Sequence, residues 1–168
     1  YTVVYNYDKD KYTVGTFADS QVVETEEGMA VSDKVTVANE AIENVNVQLQ
    51  EKDKFDFQVK QYISNAIVNI AGDEEEYNYD DLELAKIEID PLKINNATVK
   101  LKYKIVVTNV GNVEGQVSSI VDYIPNGMIF DQNENPEWSL GAINGNIYNE
   151  SLKNINIAPG ESKELTLI

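Results

Sequence analysis

The sequence contains neither cysteine nor histidine. Without cysteine the chain can form no disulfides and no thiolate metal sites. Without histidine it lacks the commonest general base and the commonest transition-metal ligand, which excludes Ser-His-Asp and Cys-His catalysis. No pair of carboxylates stands out as the acid and base of a glycoside hydrolase. We therefore expect a protein that is not an enzyme and carries no cofactor.

Positive charge is also scarce. The chain has 13 basic residues, all of them lysine, against 29 acidic ones, and its net charge is −16. A surface of this sign repels phosphate backbones, so we expect no nucleic-acid partner. No apolar run approaches the roughly 20 residues that span a bilayer, so we expect no insertion into a membrane. There is no signal peptide, and both ends fall inside strand-like runs, which is typical of an excised piece.

The clearest pattern lies between Thr98 and Asp131. Apolar side chains alternate with lysines here, as in a strand with one dry and one wet face. The dry positions are Val99, Leu101, Tyr103, Ile105 and Val107, and the wet ones are Lys100, Lys102 and Lys104. Asn109 to Asn112 form a turn, Gln116 to Asp122 a second extended run, and Pro125-Asn126-Gly127 another turn.

Similar short strands recur along the chain. Turns at intervals of roughly 8–12 residues favour an all-β antiparallel sandwich. Asn144-Gly145 is the strongest hairpin signal. Acidic composition predicts loops at Gln21–Ser32 and Asp73–Asp81. The predicted strands are Tyr1–Tyr7 and Tyr12–Phe17 (paired as a hairpin), Lys34–Ala38, Ile42–Leu49, Phe55–Ile63, Ala66–Ile70, Leu84–Ile89, Val99–Val107, Met128–Phe130, the hairpin within Trp138–Tyr148, and Lys163–Ile168.

Several motifs carry a family resemblance. The order V-T-N-x-G-N, a variable strand and D-Y-I-P-x-G-x-x-F, followed by WSLG, IYNESL and IAPGESKELTLI, resembles the immunoglobulin-like repeat of unknown function in surface proteins of Gram-positive bacteria (Firmicutes). The resemblance extends from about Phe55 to the end of the sequence, and we expect the domain at residues 51–168. It implies an immunoglobulin-like sandwich in an extracellular, cell wall-associated protein, with neighbouring repeats of the same polypeptide as its partners.

Residues 1–50 are similar to the closing half of a collagen-adhesin B-type, prealbumin-like repeat. If so, the opening strands of that repeat are missing. A partial sandwich has unpaired edges, which are costly. We expect this segment either to pack on the following domain or to be poorly ordered.

The family resemblance suggests an intramolecular isopeptide bond, in which a first-strand lysine joins an asparagine near the last strand beside a buried carboxylate. Such a lysine must be uncharged, which a dry core favours. F-D-F-Q-V-K-Q-Y-I places Gln61 at the inward lysine position and Lys60 on the outward face, unless a bulge turns Lys60 inward. Asp122 matches the aspartate of the motif. As a strand-end carboxylate it is also suited to accept backbone N–H bonds.

A calcium loop is the other candidate site. Asp131, Asn133, Asn135 and Glu137 place oxygen atoms at alternate positions. However, Pro136 stands where an EF-hand loop needs glycine, and Ala142 stands where it needs glutamate. The bland interpretation is a solvated loop.

Two functional hypotheses remain from the sequence. The first is a structural spacer that holds a distal domain away from the cell wall. The second is an adhesin module that binds a host glycan or matrix protein through loops or through some of its ten tyrosines.

Overall fold

The computed structural model describes residues 2–14, 22–26, 28–32, 47–143 and 145–168. The chain divides into two compact units, Tyr1–Asp53 and Lys54–Ile168. This division follows Asp53, three residues beyond the boundary predicted at 50/51. The described residues form antiparallel sheets and one short 3₁₀ helix, so the prediction of an all-β fold is confirmed. None of these described elements is a helix of the length and apolarity that crossing a bilayer requires.

Unit 1 contains two small sheets. One has the strand order β1-β4-β3 and the other pairs β2 with β5. Their bounds are β1 Val4–Asn6, β2 Tyr12–Val14, β3 Val22–Glu26, β4 Met29–Ser32 and β5 Leu49–Glu51.

Two sequence predictions for unit 1 are wrong. The first two strands do not pair as a hairpin, because β1 pairs with β4 and β2 pairs with β5. The segment predicted as an acidic loop, Gln21–Ser32, contains β3 and β4, which pair across a register shift at Glu24/Glu26. The strand predicted at Lys34–Ala38, and residues 42–46 of the one at Ile42–Leu49, lie outside the described residues.

Unit 2 contains a large and a small antiparallel sheet. The large sheet has the order β12-β8-β6-β7 and the small sheet β10-β11-β9. Their bounds are β6 Phe57–Ile70, β7 Asp73–Leu82, β8 Ala97–Asn109, β9 Ile120–Tyr123, β10 Trp138–Leu140, β11 Asn146–Asn149 and β12 Ser162–Leu167. The 3₁₀ helix, Ile94–Asn96, precedes β8.

The core of unit 2 lies between these two sheets. Buried side chains of both sheets pack together, and Trp138 is only 1% exposed. Because β8 and β12 supply one wall and β9, β10 and β11 the other, the arrangement is a β-sandwich. The core residues are Ile105, Val107, Ile120, Trp138, Ile147, Leu152, Leu165 and Leu167.

Strand β8 is the centre of the large sheet. It pairs with β6 on one side and with β12 on the other. Its alternation agrees with the sequence from Lys100 onward, since Ile105 and Val107 are buried while Lys100 and Lys102 are exposed. Val99, predicted on the dry face, is 41% exposed. Ser64 is an additional residue in β6 opposite β8, where the register shifts between Ile63 and Asn65. Because of this extra residue, odd-numbered side chains face one side of the sheet before the bulge and even-numbered side chains face that side after it.

The prediction of a loop at Asp73–Asp81 is wrong. These residues belong to β7, the edge strand that pairs with the second half of β6. Glu74, Glu76 and Asn78 alternate with neighbours on the other face, and Asn69 and Asn65 donate to the two glutamates. Charged side chains on an edge strand discourage pairing with another chain. Charge here marks an exposed edge, not the absence of a strand.

The prediction of a strand at Leu84–Ile89 is also wrong. The side chains alternate between exposed and half-buried, since Leu84 is exposed and Ile87 and Ile89 are half-buried. However, the backbone of this segment joins no sheet. Met128–Phe130 is likewise outside any strand. The hairpin predicted within Trp138–Tyr148 is confirmed, because β10 pairs with β11 across the turn. Gly145 has φ +84°, while Asn144 lies outside the described residues.

The turn between β6 and β7 gives a stability prediction. Ala71 and Gly72 both have positive φ (55° and 101°), as in a type I′ turn, and Ala71 is exposed. A left-handed conformation is unfavourable for alanine and tolerated by asparagine. We expect Ala71→Asn to stabilise the protein by about 0.5–1 kcal/mol in chemical denaturation. Ala71→Val should destabilise it; equal stability of the two variants would contradict this reading.

Candidate functional site

Three polar contacts of unit 2 involve the residues that the sequence motifs single out. They hold the start of the unit, the end of the unit, and one point between the two sheets. We name them the N-terminal tie (Lys54–Asp56 with Asn109–Asn112), the C-terminal tie (Gln132, Asn135 and Trp138 with Thr166 and Ile168) and the inter-sheet tie (Gln61 with Asp122).

The N-terminal tie is organised by Asn109, which ends β8 and is 1% exposed. Its Nδ2 donates to the carbonyl oxygens of Val113 and Ile157, both at 2.8 Å, and its Oδ1 accepts from Gly111 N at 2.9 Å. Its backbone N donates to Glu161 O and its carbonyl oxygen accepts from Gly160 N. One buried side chain thus bonds the turn after β8 to the segment that leads to β12.

The rest of the N-terminal tie bonds the first residues of unit 2. Lys54 N donates to Asn112 Oδ1 at 2.7 Å, and Asn112 N donates back to Lys54 O at 3.1 Å. Val110 N and Gly111 N both donate to Asp56 O. A Cβ at position 111 would overlap with the Lys54 carbonyl oxygen, so this close approach requires glycine. The V-T-N-x-G-N motif is therefore a backbone-binding structure.

The C-terminal tie lies along β12. Asn135 is 3% exposed; its Nδ2 donates to Ile168 O at 2.7 Å and to Asp131 O, and its Oδ1 accepts from Ile168 N at 2.8 Å. Trp138 Nε1 donates to Thr166 O at 2.7 Å. Gln132 Nε2 donates to the carbonyl oxygens of Asn135 and Trp138, which fixes the loop itself. Side chains of one loop thus satisfy backbone groups of β12.

The inter-sheet tie places the isopeptide candidates. Gln61 Nε2 donates to Asp122 Oδ2 at 3.2 Å, and Asp122 Oδ1 accepts from Tyr123 N at 2.8 Å. Lys60 is exposed, and its neighbour Gln61 is the residue that contacts Asp122. The structure therefore brings Gln61 and Asp122 together and leaves Lys60 on the other face of β6. The Asp122 carboxylate is therefore hydrogen-bonded to the Gln61 amide and not to the Lys60 amine.

Tyr103 lies beside this tie. Burial raises the pKa of the Tyr103 hydroxyl, and the nearby Asp122 carboxylate raises it further. Tyr103 is thus a neutral phenol at physiological pH, and it adds no second negative charge beside the Asp122 carboxylate.

The calcium candidates do not converge on one point. Asp131 Oδ1 accepts from Asn133 N and Nδ2, whereas both polar atoms of the Asn135 side chain bond to backbone. Glu137 is exposed. Within the described ranges no group of three acidic side chains could hold a metal ion. The alternate oxygens belong to an Asx turn and to the C-terminal tie. Sequence reasoning missed the structural part of Asn135 because nothing in a single sequence marks its burial.

On the exposed face of the large sheet, polar side chains likewise bond to one another. Asn65 Nδ2 donates to Glu76 Oε1 at 2.6 Å and to Asn78 Oδ1 at 2.9 Å, and Lys100 Nζ lies 2.6 Å from Glu134 Oε1. The Glu134 carboxylate raises the pKa of Lys100 through this bond. A shallow depression here is lined by Ser64, Asn65, Ile67, Glu76, Asn78, Lys100, Lys102 and Ile168. Most of its polar atoms are already engaged with one another.

The C-terminal tie predicts that Asn135 and Asn133 differ in their effect on stability. Asn135→Ala leaves the backbone groups of Ile168 and Asp131 without their side-chain partner in a partly dry site. We expect a loss of roughly 2–3 kcal/mol of unfolding free energy. Asn133→Ala, in the exposed turn, should cost far less. Fluorescence of Trp138, the single tryptophan, reports the unfolding. Equal losses would contradict a structural part for Asn135.

The turn before β12 predicts a pH dependence. Glu161 Oε1 lies 2.6 Å from Lys163 Nζ and its Oε2 accepts from Ala158 N, and these partners lower the pKa of the carboxyl below its ordinary value of 4.5. Its stabilisation is present above the unfolded-state pKa and is lost as pH falls through the folded-state pKa. The melting-temperature advantage over Glu161→Gln should therefore exist at pH 7 and shrink below pH 4.5. A pH-independent difference would contradict this.

The side chains that form the three ties bond to backbone groups or, in the case of Gln61 and Asp122, to each other. No family model, curated protein or solved structure matches this chain.

Proposed function

We propose that this chain is a non-catalytic spacer segment of an extracellular, cell wall-associated bacterial surface protein. Residues 51–168 are its immunoglobulin-like repeat and residues 1–50 the end of a prealbumin-like one. Its partners are the neighbouring repeats of the same polypeptide. The organism class and the location rest on the motif resemblance alone.

The observation that supports a spacer is the use made of its most distinctive polar residues. Asn112 bonds the chain where it enters unit 2, and Asn135 bonds it where it leaves. Asn109 bonds the turn after β8 to the segment that leads to β12. Asn109 and Asn135 are buried. A buried amide is retained where its hydrogen bonds are made, and here they are made to the protein's own backbone. Residues that could bind a ligand instead hold both ends of the sandwich, which suits a link in a tandem chain.

The alternative is an adhesin module for a host glycan or matrix protein. One surface favours it: the outer face of the small sheet, where β9 and β11 place exposed or half-exposed aromatic and polar side chains side by side. Tyr123 is 65% exposed. The residues on this face are Val121, Tyr123, Asn146 and Tyr148. Tyrosine offers a flat apolar ring with a polar tip, which sugars and proteins both accept.

A replacement experiment separates the two functions. The segment is deleted from its surface protein in the bacterium, and adhesion through the distal domain is measured. A spacer predicts that adhesion falls and that an unrelated β-sandwich of equal length restores it. An adhesin module predicts that the substitute does not restore it.

Tyr123→Ala in the intact surface protein is the matched variant. A spacer tolerates it with adhesion unchanged, whereas an adhesin that uses the outer face of the small sheet loses adhesion. Lys86→Ala, an exposed residue away from that face, controls for nonspecific effects of substitution. Failure of the unrelated sandwich together with loss of adhesion in Tyr123→Ala would overturn the spacer.

A further inference from the structure

The strands at which unit 2 begins and ends flank the same central strand. β6 and β12 are both antiparallel to β8 and therefore parallel to each other. Phe57, at the start of β6, is opposite Asn109, while Leu167, at the end of β12, is opposite Tyr103. The points where the chain enters and leaves are thus displaced by six residues of β8, roughly 20 Å along the strands.

This displacement determines how tension acts on the sheet. Pulling on the two ends of unit 2 draws β6 and β12 in opposite directions along their own axes. The hydrogen bonds of an antiparallel ladder lie perpendicular to the strands. All bonds of a ladder are therefore strained together, instead of being opened one after another from an end. We infer that β6, β8 and β12 form a shear-loaded clamp that resists extension of the chain. Its biological use rests on the spacer function proposed above.

The two ladders of the clamp are unequal. Thirteen residues of β6 pair with β8, from Phe57 to Ile70, whereas only six residues of β12 do, from Ser162 to Leu167. The shorter ladder is the one that fails first under shear. Detachment of β12 removes Leu165 and Leu167 from the core, so the sandwich opens with it.

The C-terminal tie reinforces the shorter ladder from its other side. Asn109 N donates to Glu161 O, so the odd-numbered residues of β12 direct their backbone groups at β8 and the even-numbered ones direct theirs away. The even-numbered Thr166 and Ile168 are the residues bonded by Trp138 and Asn135. The end of β12, where tension is applied, is consequently held by β8 on one side and by the C-terminal tie, at Thr166 and the following Ile168, on the other.

Single-molecule pulling of the full chain in two geometries tests the clamp. The protein has no cysteine, so introduced cysteines give unique handles. Shear is applied through Asp53→Cys and a cysteine appended after Ile168. Opening from one end is applied through Val110→Cys and Ser162→Cys, which lie at the same end of the β8–β12 ladder. We expect a severalfold higher rupture force in the shear geometry at the same loading rate. Equal forces would overturn the clamp.

A proline pair tests which ladder sets the force. Lys163→Pro removes an N–H that faces β8, and Glu164→Pro removes one that faces away. In the shear geometry Lys163→Pro should lower the rupture force and Glu164→Pro should change it much less. Trp138 fluorescence identifies the molecules that are folded before pulling. If Lys163→Pro does not fold, the clamp is still tested by comparing the rupture forces of the otherwise unchanged chain in the shear geometry and in the geometry that opens the ladder from one end.

The two proposals fail separately. Equal rupture forces remove the clamp and leave the replacement experiment untouched. Failure of an unrelated sandwich to restore adhesion, together with loss of adhesion in Tyr123→Ala, removes the spacer function, while a higher force in shear would remain a property of the fold.

Discussion

Unit 2 depends on strand β8. The backbone of β8 needs hydrogen-bond partners along both edges, and the apolar side chains on one of its faces need to be buried. β6 and β12 supply the hydrogen bonds, and the small sheet covers the inner face. Ile105 and Val107 are dry because they belong to the apolar cluster between the two sheets. In β12 the residue opposite Ile105 is Leu165, whereas the one opposite Val107 is Lys163. The remaining strands are arranged around this requirement.

Three buried asparagines of unit 2 bond to backbone in the same way. Asn109, Asn135 and Asn149 are all nearly inaccessible, and each uses its side-chain oxygen to accept a backbone N–H. An amide in a dry site is tolerated when it replaces water for backbone groups that no strand pairs. Asparagine offers a donor and an acceptor on one short side chain, so it suits places where a ladder ends and the chain turns. The same residue type would otherwise be read as a sign of ligand binding.

Much of the sandwich could be predicted from period-2 alternation, and the parts that could not have physical explanations. β8 and the β10–β11 hairpin carry strong local signals, an alternating dry face and an Asn-Gly turn. β7 does not, because edge position replaces apolar alternation by charge and its turn uses Ala71 instead of asparagine. Leu84–Ile89 alternates without joining a ladder, since pairing depends on a neighbour that sequence does not reveal. At the site, the alternation of side chains along a strand correctly predicted that Gln61 and Lys60 lie on opposite faces. The burial of Asn135 depends on tertiary packing and could not be predicted from the sequence.

The bulge at Ser64 has a consequence for sequence change in this fold. Before it, odd-numbered side chains of β6 face the small sheet, as Gln61 does; after it, the even-numbered Ala66 and Val68 are the buried ones. One residue therefore separates two arms of opposite parity within a single strand. Deletion of Ser64 would leave each side chain on its present face and make the pairing of β6 with β8 regular, whereas deletion of a residue elsewhere in either arm would exchange the dry and wet faces beyond it.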